Sequence, residues 1–190
     1  MRYVKNTHGR NRVSITLIND DFNDIFSKIY CVKNWKIFFG DKTKLHTNIR
    51  LNNKDLCDFF RNYNYENKTY CSFEKVWNDI PIEYRGYFLR GYTDGDGCIY
   101  YNYKYNKITT KNISWVAHSK YDYSFLCNFL TSMNIIYHQF HSQTHKRIMI
   151  SNYSDIMKIC DFIYPDFTFG LTRKYKKYQF IKEYYEQKRS

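Results

Sequence analysis

The stretch "YRGYFLRGYTDGDGCIYYNYKYN", Tyr84 to Asn106, holds four of the chain's seven glycines and two aspartates. In its first half Tyr84, Tyr87, Phe88, Gly91 and Tyr92 recur at helical spacing, and its second half, "CIYYNYKY", reads as a strand. The spacing predicts a central helix over 82–97 with the glycine cluster at its C-terminal end. Gly86 and Gly91 inside a helix each cost about 1 kcal/mol relative to Ala, which is tolerated where another backbone approaches closely. The helix is therefore expected to pack against a twin. Gly95 and Gly97 suit a turn out of the helix into the strand, with Asp94 and Asp96 flanking it. Two carboxylates with no base beside them suit a hard divalent cation bound through oxygen and shared with phosphate: Mg²⁺, with Mn²⁺ or Ca²⁺ as surrogates. An EF-hand loop starting at Asp94 is excluded, because it needs oxygen ligands where Cys98 and Tyr100 stand, a glycine at Ile99 and an acid at Tyr105.

Upstream of this stretch, "RVSITLI" (12–18) alternates apolar with polar residues as a half-buried strand does. "NDDFNDIFSKIYCV" follows as a helix with Phe22, Ile25, Phe26 and Ile29 on one face. "WKIFFG" and "LHTNIRLN" form a hairpin, and "NKDLCDFFRNY" is a short helix capped by Asn53 or Asp55. The same order returns about one hundred residues later in "NISWVAH", "YDYSFLCNFLTSM", "IIYHQFHS" with "KRIMISN", and "SDIMKICDFIY". Ile25 and Phe26 fall on Phe125 and Leu126, and "IRLNN" (49–53) falls on "IMISN" (148–152). A duplicated α+β unit is expected, with one half over 1–70 and another over 71–190 that holds the central helix and a closing helix at 172–188.

Composition limits the partner. The chain has 190 residues and a net charge of +12, spread along its length together with 21 Tyr and 15 Phe. Such a surface suits a polyanion with faces to stack on, and nucleic acid fits best. Six cysteines lie far apart with no C-x-x-C pair, which implies a reduced, intracellular protein. Neither an N-terminal signal core nor an eighteen-residue apolar run is present, so secretion and membrane spanning are not supported.

The residues "LRGYTDGDG", Leu89 to Gly97, resemble the signature of the LAGLIDADG homing endonucleases. That resemblance implies an α+β fold of two pseudo-repeated αββαββα halves, packed through their motif helices, each presenting an antiparallel saddle sheet to double-stranded DNA. It implies that Asp96, the last acid of the motif, binds the catalytic metal, while Asp94 has a structural part near the helix end. "LTRKYKKYQF" (171–180) resembles the run that opens the family's terminal helix, which points to Lys174 as the lysine reaching the scissile region. "NKTYCS" is its first-half counterpart, with Lys68. The family's setting implies a phage-infected bacterial cytoplasm or an organelle.

A single-chain member with two halves carries two motifs. Shifting Asp96 back by the repeat spacing lands before Met1, so the first motif helix is expected to be absent. Another chain, or a second copy, would then supply the missing helix and acid. The alternative is a protein that no longer cleaves and serves as a DNA-binding regulator, an RNA maturase or an inhibitor of a nucleic-acid-dependent partner.

Strand segments 2–14, 36–52, 100–115 and 137–150 are the expected saddle. Lys42, Lys44, His46, Arg50, Lys104, Lys107, His141, Gln143, Lys146 and Arg147 are its candidate nucleic-acid contacts, since long polar side chains on a ribbon reach base edges and hairpin-tip cations hold phosphate. His138, His141 and His145 lie on a hairpin without a cysteine at ligand spacing, which favours base contact or plain surface exposure over zinc.

Overall fold

The computed structural model describes residues 2–3, 12–18, 21–22, 24–25, 36–39, 46–65, 69–166 and 169–188. The chain divides into two compact units, Met1–Lys68 and Thr69–Ser190. In the first unit β1 (Arg2–Tyr3), β2 (Arg12–Ile18), β3 (Lys36–Phe39) and β4 (His46–Asn52) form an antiparallel sheet in the order β1-β2-β4-β3. Helix α1 (Lys54–Asn62) follows β4. Asn53 caps it, its Oδ1 accepting the Leu56 N–H at 2.8 Å, while Asp55 stands in the first turn and Arg61 in the last, as the helix dipole favours. Most of the helix expected between β2 and β3 lies outside the described residues.

The second unit opens with α2 (Glu74–Asp79) and a 3₁₀ turn (Ile82–Tyr84) that leads into α3 (Arg85–Asp96). Strands β5 (Gly97–Lys104) and β6 (Lys107–His118), helix α4 (Ser124–Ser132), strands β7 (His138–His141) and β8 (His145–Ile150), and helices α5 (Tyr153–Ile163) and α6 (Thr172–Gln187) complete it. The sheet order is β5-β6-β8-β7, again antiparallel. Tyr105 and Asn106 both adopt positive φ, 52° and 56°, the two-residue turn whose twist suits a hairpin. Asn152 caps α5 through the Ser154 N–H at 2.9 Å, as Asn53 caps α1.

The two sheets share their register as well as their order. Val13 pairs with Leu51, and Ile113 with Ile150; Ile15 pairs with Ile49, and Trp115 with Ile148. Seven of these eight side chains are buried, and Ile15 is half-buried. In the second unit this covered face meets α3, α5 and α6. Tyr101 stacks on Phe180 at 4.6 Å, and the Trp115 indole N–H donates to Thr93 Oγ1 at 3.1 Å, so burial of the ring leaves no donor orphaned. Among the described residues the five cysteines are free thiols, and no helix is long and apolar enough to cross a membrane.

The expected turn at Gly95 to Gly97 is not there. Helix α3 runs to Asp96 and β5 begins at Gly97, whose extended backbone (φ −90°, ψ 169°) needs no glycine. Space needs it instead, because a Cβ at Gly97 would lie 2.7 Å from the Thr93 carbonyl oxygen. Gly86 also differs from expectation. It meets α5 of its own unit rather than a twin helix, and a Cβ there would lie 2.6 Å from the Phe162 carbonyl oxygen. At Gly91 and Gly95 a Cβ would meet nothing within 4 Å.

Candidate functional site

The C-terminal end of α3 is held by one lysine. Lys174, near the start of α6, is 5% exposed, and its ammonium donates to the carbonyls of Thr93 (2.6 Å), Asp94 (2.7 Å) and Gly97 (2.7 Å). A helix leaves its last carbonyls without partners and its dipole negative there, so a cation with three N–H donors answers both needs. The sequence reading sends Lys174 to the scissile phosphate. The structure instead turns it inward, onto three carbonyls at the junction of α3 and β5.

Asp94 is the second tie. Its Oδ2 accepts the Leu171 N–H at 3.0 Å and its Oδ1 the Tyr164 hydroxyl at 3.3 Å. Burial raises its carboxyl above the ordinary value, against the opposing pull of the Leu171 N–H, Lys174, the Tyr164 hydroxyl and Arg90. With both oxygens engaged inside the unit, Asp94 anchors the segment before α6. Arg90, 1% exposed, reaches the same segment, donating to the Asp166 carbonyl at 2.8 Å while its guanidinium lies 4.8 Å over the Tyr87 ring. The sequence reading passes over Arg90.

Asp96 is the contrast. It is exposed and makes no hydrogen bond or ion pair with another described residue. Behind it lie the phenols of Tyr92, Tyr121 and Tyr123, kept protonated well above their usual range first by burial, with the Asp96 charge pushing the same way. They are neutral at physiological pH. Among the described residues no three His, Cys, Asp or Glu side chains converge as a metal-binding group. A free carboxylate still suits a hard cation, provided that the other oxygen ligands come from outside the described side chains. The Gly97 carbonyl beside it already accepts the Lys174 ammonium.

The strand candidates divide by face. In each sheet one face is covered and the other open, and neighbours along a strand alternate between them. Arg147 lies on the open face, where a terminal nitrogen of its guanidinium donates to Ser114 Oγ (3.3 Å) and Asn112 Oδ1 (3.4 Å). Lys146 points to the covered side and donates to the Tyr121 carbonyl at 3.2 Å, so it is not a reader beside Arg147. His141 pairs with Lys146 and shares that side, exposed at the edge strand. Lys104 and Lys107 pair with each other beside the β5–β6 turn, and Gln143 sits in the β7–β8 turn, all exposed. Arg50 pairs with Ser14 on the open face of the first sheet, and His46 is the first residue of β4. Lys42, Lys44 and Lys68 lie outside the described residues.

No protein-family model and no curated protein matches the chain. Solved structures do. I-SmaMI bound to an uncleaved DNA target in the presence of calcium ions superposes with a TM-score of 0.64 at 12% identity, covering 94% of this chain and 81% of that one. The LAGLIDADG meganuclease I-AabMI bound to uncleaved DNA gives 0.59 at 12% identity, over 93% of this chain and 82% of that one. I-CpaMI, a further LAGLIDADG meganuclease bound to uncleaved DNA, gives 0.59 at 11% identity, over 90% and 79%.

Proposed function

We propose that this chain, which has the fold of the LAGLIDADG homing endonucleases, binds duplex DNA along its open sheet faces and hydrolyses phosphodiester bonds with a divalent metal held by Asp96. The observation that carries the reading is the contrast at the end of α3. There Lys174 and Asp94 are consumed in fixing the helix end, while Asp96 is left exposed and uncommitted on a rigid support.

A divalent ion at Asp96 would supply a polarised water and neutralise charge at the phosphate. The chain's own residues do the rest. Lys174 and Asp94 keep the Asp96 backbone from shifting, and the neutral tyrosines behind it do not compete for a metal. Arg50 and Arg147 meet base edges, and Lys104 and Lys107 meet the backbone near a hairpin tip. Such a surface binds with affinity that falls steeply as salt rises.

Cutting two strands calls for a second carboxylate. Gly91 and Gly95 stand one turn apart on an exposed face of α3 with no atom within 4 Å of their virtual Cβ positions. That face would admit the motif helix of another copy or another chain, bringing its acid beside Asp96.

The test is a plasmid library carrying random inserts, incubated with the full chain and Mg²⁺, with mass in solution measured on the same sample by light scattering. The expected result is recovery of a cut motif with wild type, none with Asp96→Asn, and equal duplex affinity for both proteins. Cleavage by the Asp96→Asn variant, or a wild type that binds but cuts nothing in the library, overturns the nuclease reading.

A further inference from the structure

On the open face of the second sheet, β6 and β8 carry Val116 and Met149 where β2 and β4 of the first sheet carry Thr16 and Arg50. Val116 on β6, Arg147 on β8 and Phe140 on β7 pair in one row across three strands, so they share a face. Val116 is 46% and Phe140 47% exposed, while Trp115 and Ile148 beside them in sequence are buried on the other side. Tyr100 on β5 shows 43% of its surface on the same open face. Arg147 does not screen this row, because its guanidinium leans away onto Ser114 and Asn112. At the corresponding row of the first sheet, Thr16 and Asn48 hydrogen-bond to each other at 2.7 Å, and Phe38 pairs with Asn48 as Phe140 pairs with Arg147.

Resting on the DNA reading above, we infer that the Val116–Phe140 row reads thymine methyl groups in the major groove, so that the half-site under the second unit is rich in thymine. The major groove offers a protein one apolar feature on a base pair, the C5-methyl of thymine. Half-exposed valine and phenylalanine on a face turned to bases have no other surface there to cover. The occupant is DNA rather than a protein because the patch belongs to a chain of net charge +12, on a sheet whose hairpin tip carries Lys104 and Lys107, a complement for a polyanion. Each methyl so covered is expected to raise affinity about four-fold.

The experiment selects duplexes from a random pool with the full chain in Ca²⁺, then remakes the selected duplex with deoxyuridine for thymidine, which deletes the C5-methyl groups and nothing else. Wild type is expected to lose about four-fold in affinity per contacted methyl. A Val116→Ser, Phe140→Ser double variant should show little of that loss while keeping the same salt dependence. Both side chains are half-exposed, so the variant should fold, and circular dichroism checks this. A deoxyuridine penalty that is absent, or equal in wild type and variant, overturns the inference and leaves DNA binding intact. A pool that yields no salt-sensitive binder overturns DNA binding itself, and the row would then belong to a protein contact.

Discussion

The two sheets have the same strand order and the same pairing on their covered faces, yet on their open faces they share little. Val13 with Leu51 and Ile15 with Ile49 stand where Ile113 with Ile150 and Trp115 with Ile148 stand, and each following helix is capped by an asparagine. Across the open faces, Thr16 with Asn48 corresponds to Val116 with Arg147, and Ser14 with Arg50 to Ser114 with Met149. The guanidinium has moved by one row, and Val116 and Met149 stand where Thr16 and Arg50 do, while both edge strands keep a phenylalanine, Phe38 and Phe140. A shift of one residue in register would carry every core side chain to water, so the covered face holds the frame, whereas the open face is free to follow its ligand.

The largest effect tests the covered faces. Trp115→Ala removes the largest fully buried side chain and is expected to cost about 3–5 kcal/mol, read by urea unfolding with circular dichroism. Ile15→Ala at the matching row should cost distinctly less, because Ile15 is only half-buried. Equal costs would mean that the rows carry equal packing, and the likeness would be closer than burial shows.

The caps sharpen the likeness at smaller scale. Asn53→Ala and Asn152→Ala should each cost about 1 kcal/mol by the same assay, since each removes the acceptor for one N–H in the first turn. A loss at one cap alone would separate the units where their sequences agree.

The smallest effect on stability belongs to the open faces. Arg50→Ala and Arg147→Ala should each change stability by no more than about 0.5 kcal/mol. Each should weaken duplex binding measured by fluorescence anisotropy. A large stability loss at Arg147 would make it part of the frame and break the division between faces.

Much of this was legible in advance. The motif helix, the strand order of both halves, the helix order of the second and the asparagine before α1 follow from periodicity and capping, which are local. The repeat followed from register, because a duplicated unit keeps its apolar spacing after identity has decayed. The site was less legible. "LRGYTDGDG" and "LTRKYKKYQF" named Asp94, Asp96 and Lys174, yet which of them is consumed by the fold depends on α6 meeting the end of α3, about eighty residues away in sequence. Lys146 and Arg147 read alike as adjacent cations, and strand alternation alone sends them to opposite faces. Arg90 gave little signal, because the backbone carbonyl that one of its terminal nitrogens meets, that of Asp166, is announced by no sequence pattern.

The sequence by itself determined the elements, their order and the concentration of acids at one helix end, since these depend on spacing within short windows. The tertiary structure alone decided that Gly86 makes room for the Phe162 carbonyl while Gly91 meets nothing, and that Asp94 is bound while Asp96 is free. Those distinctions depend on which distant backbone groups arrive at a given atom, and a packed chain supplies such groups only when it closes on itself.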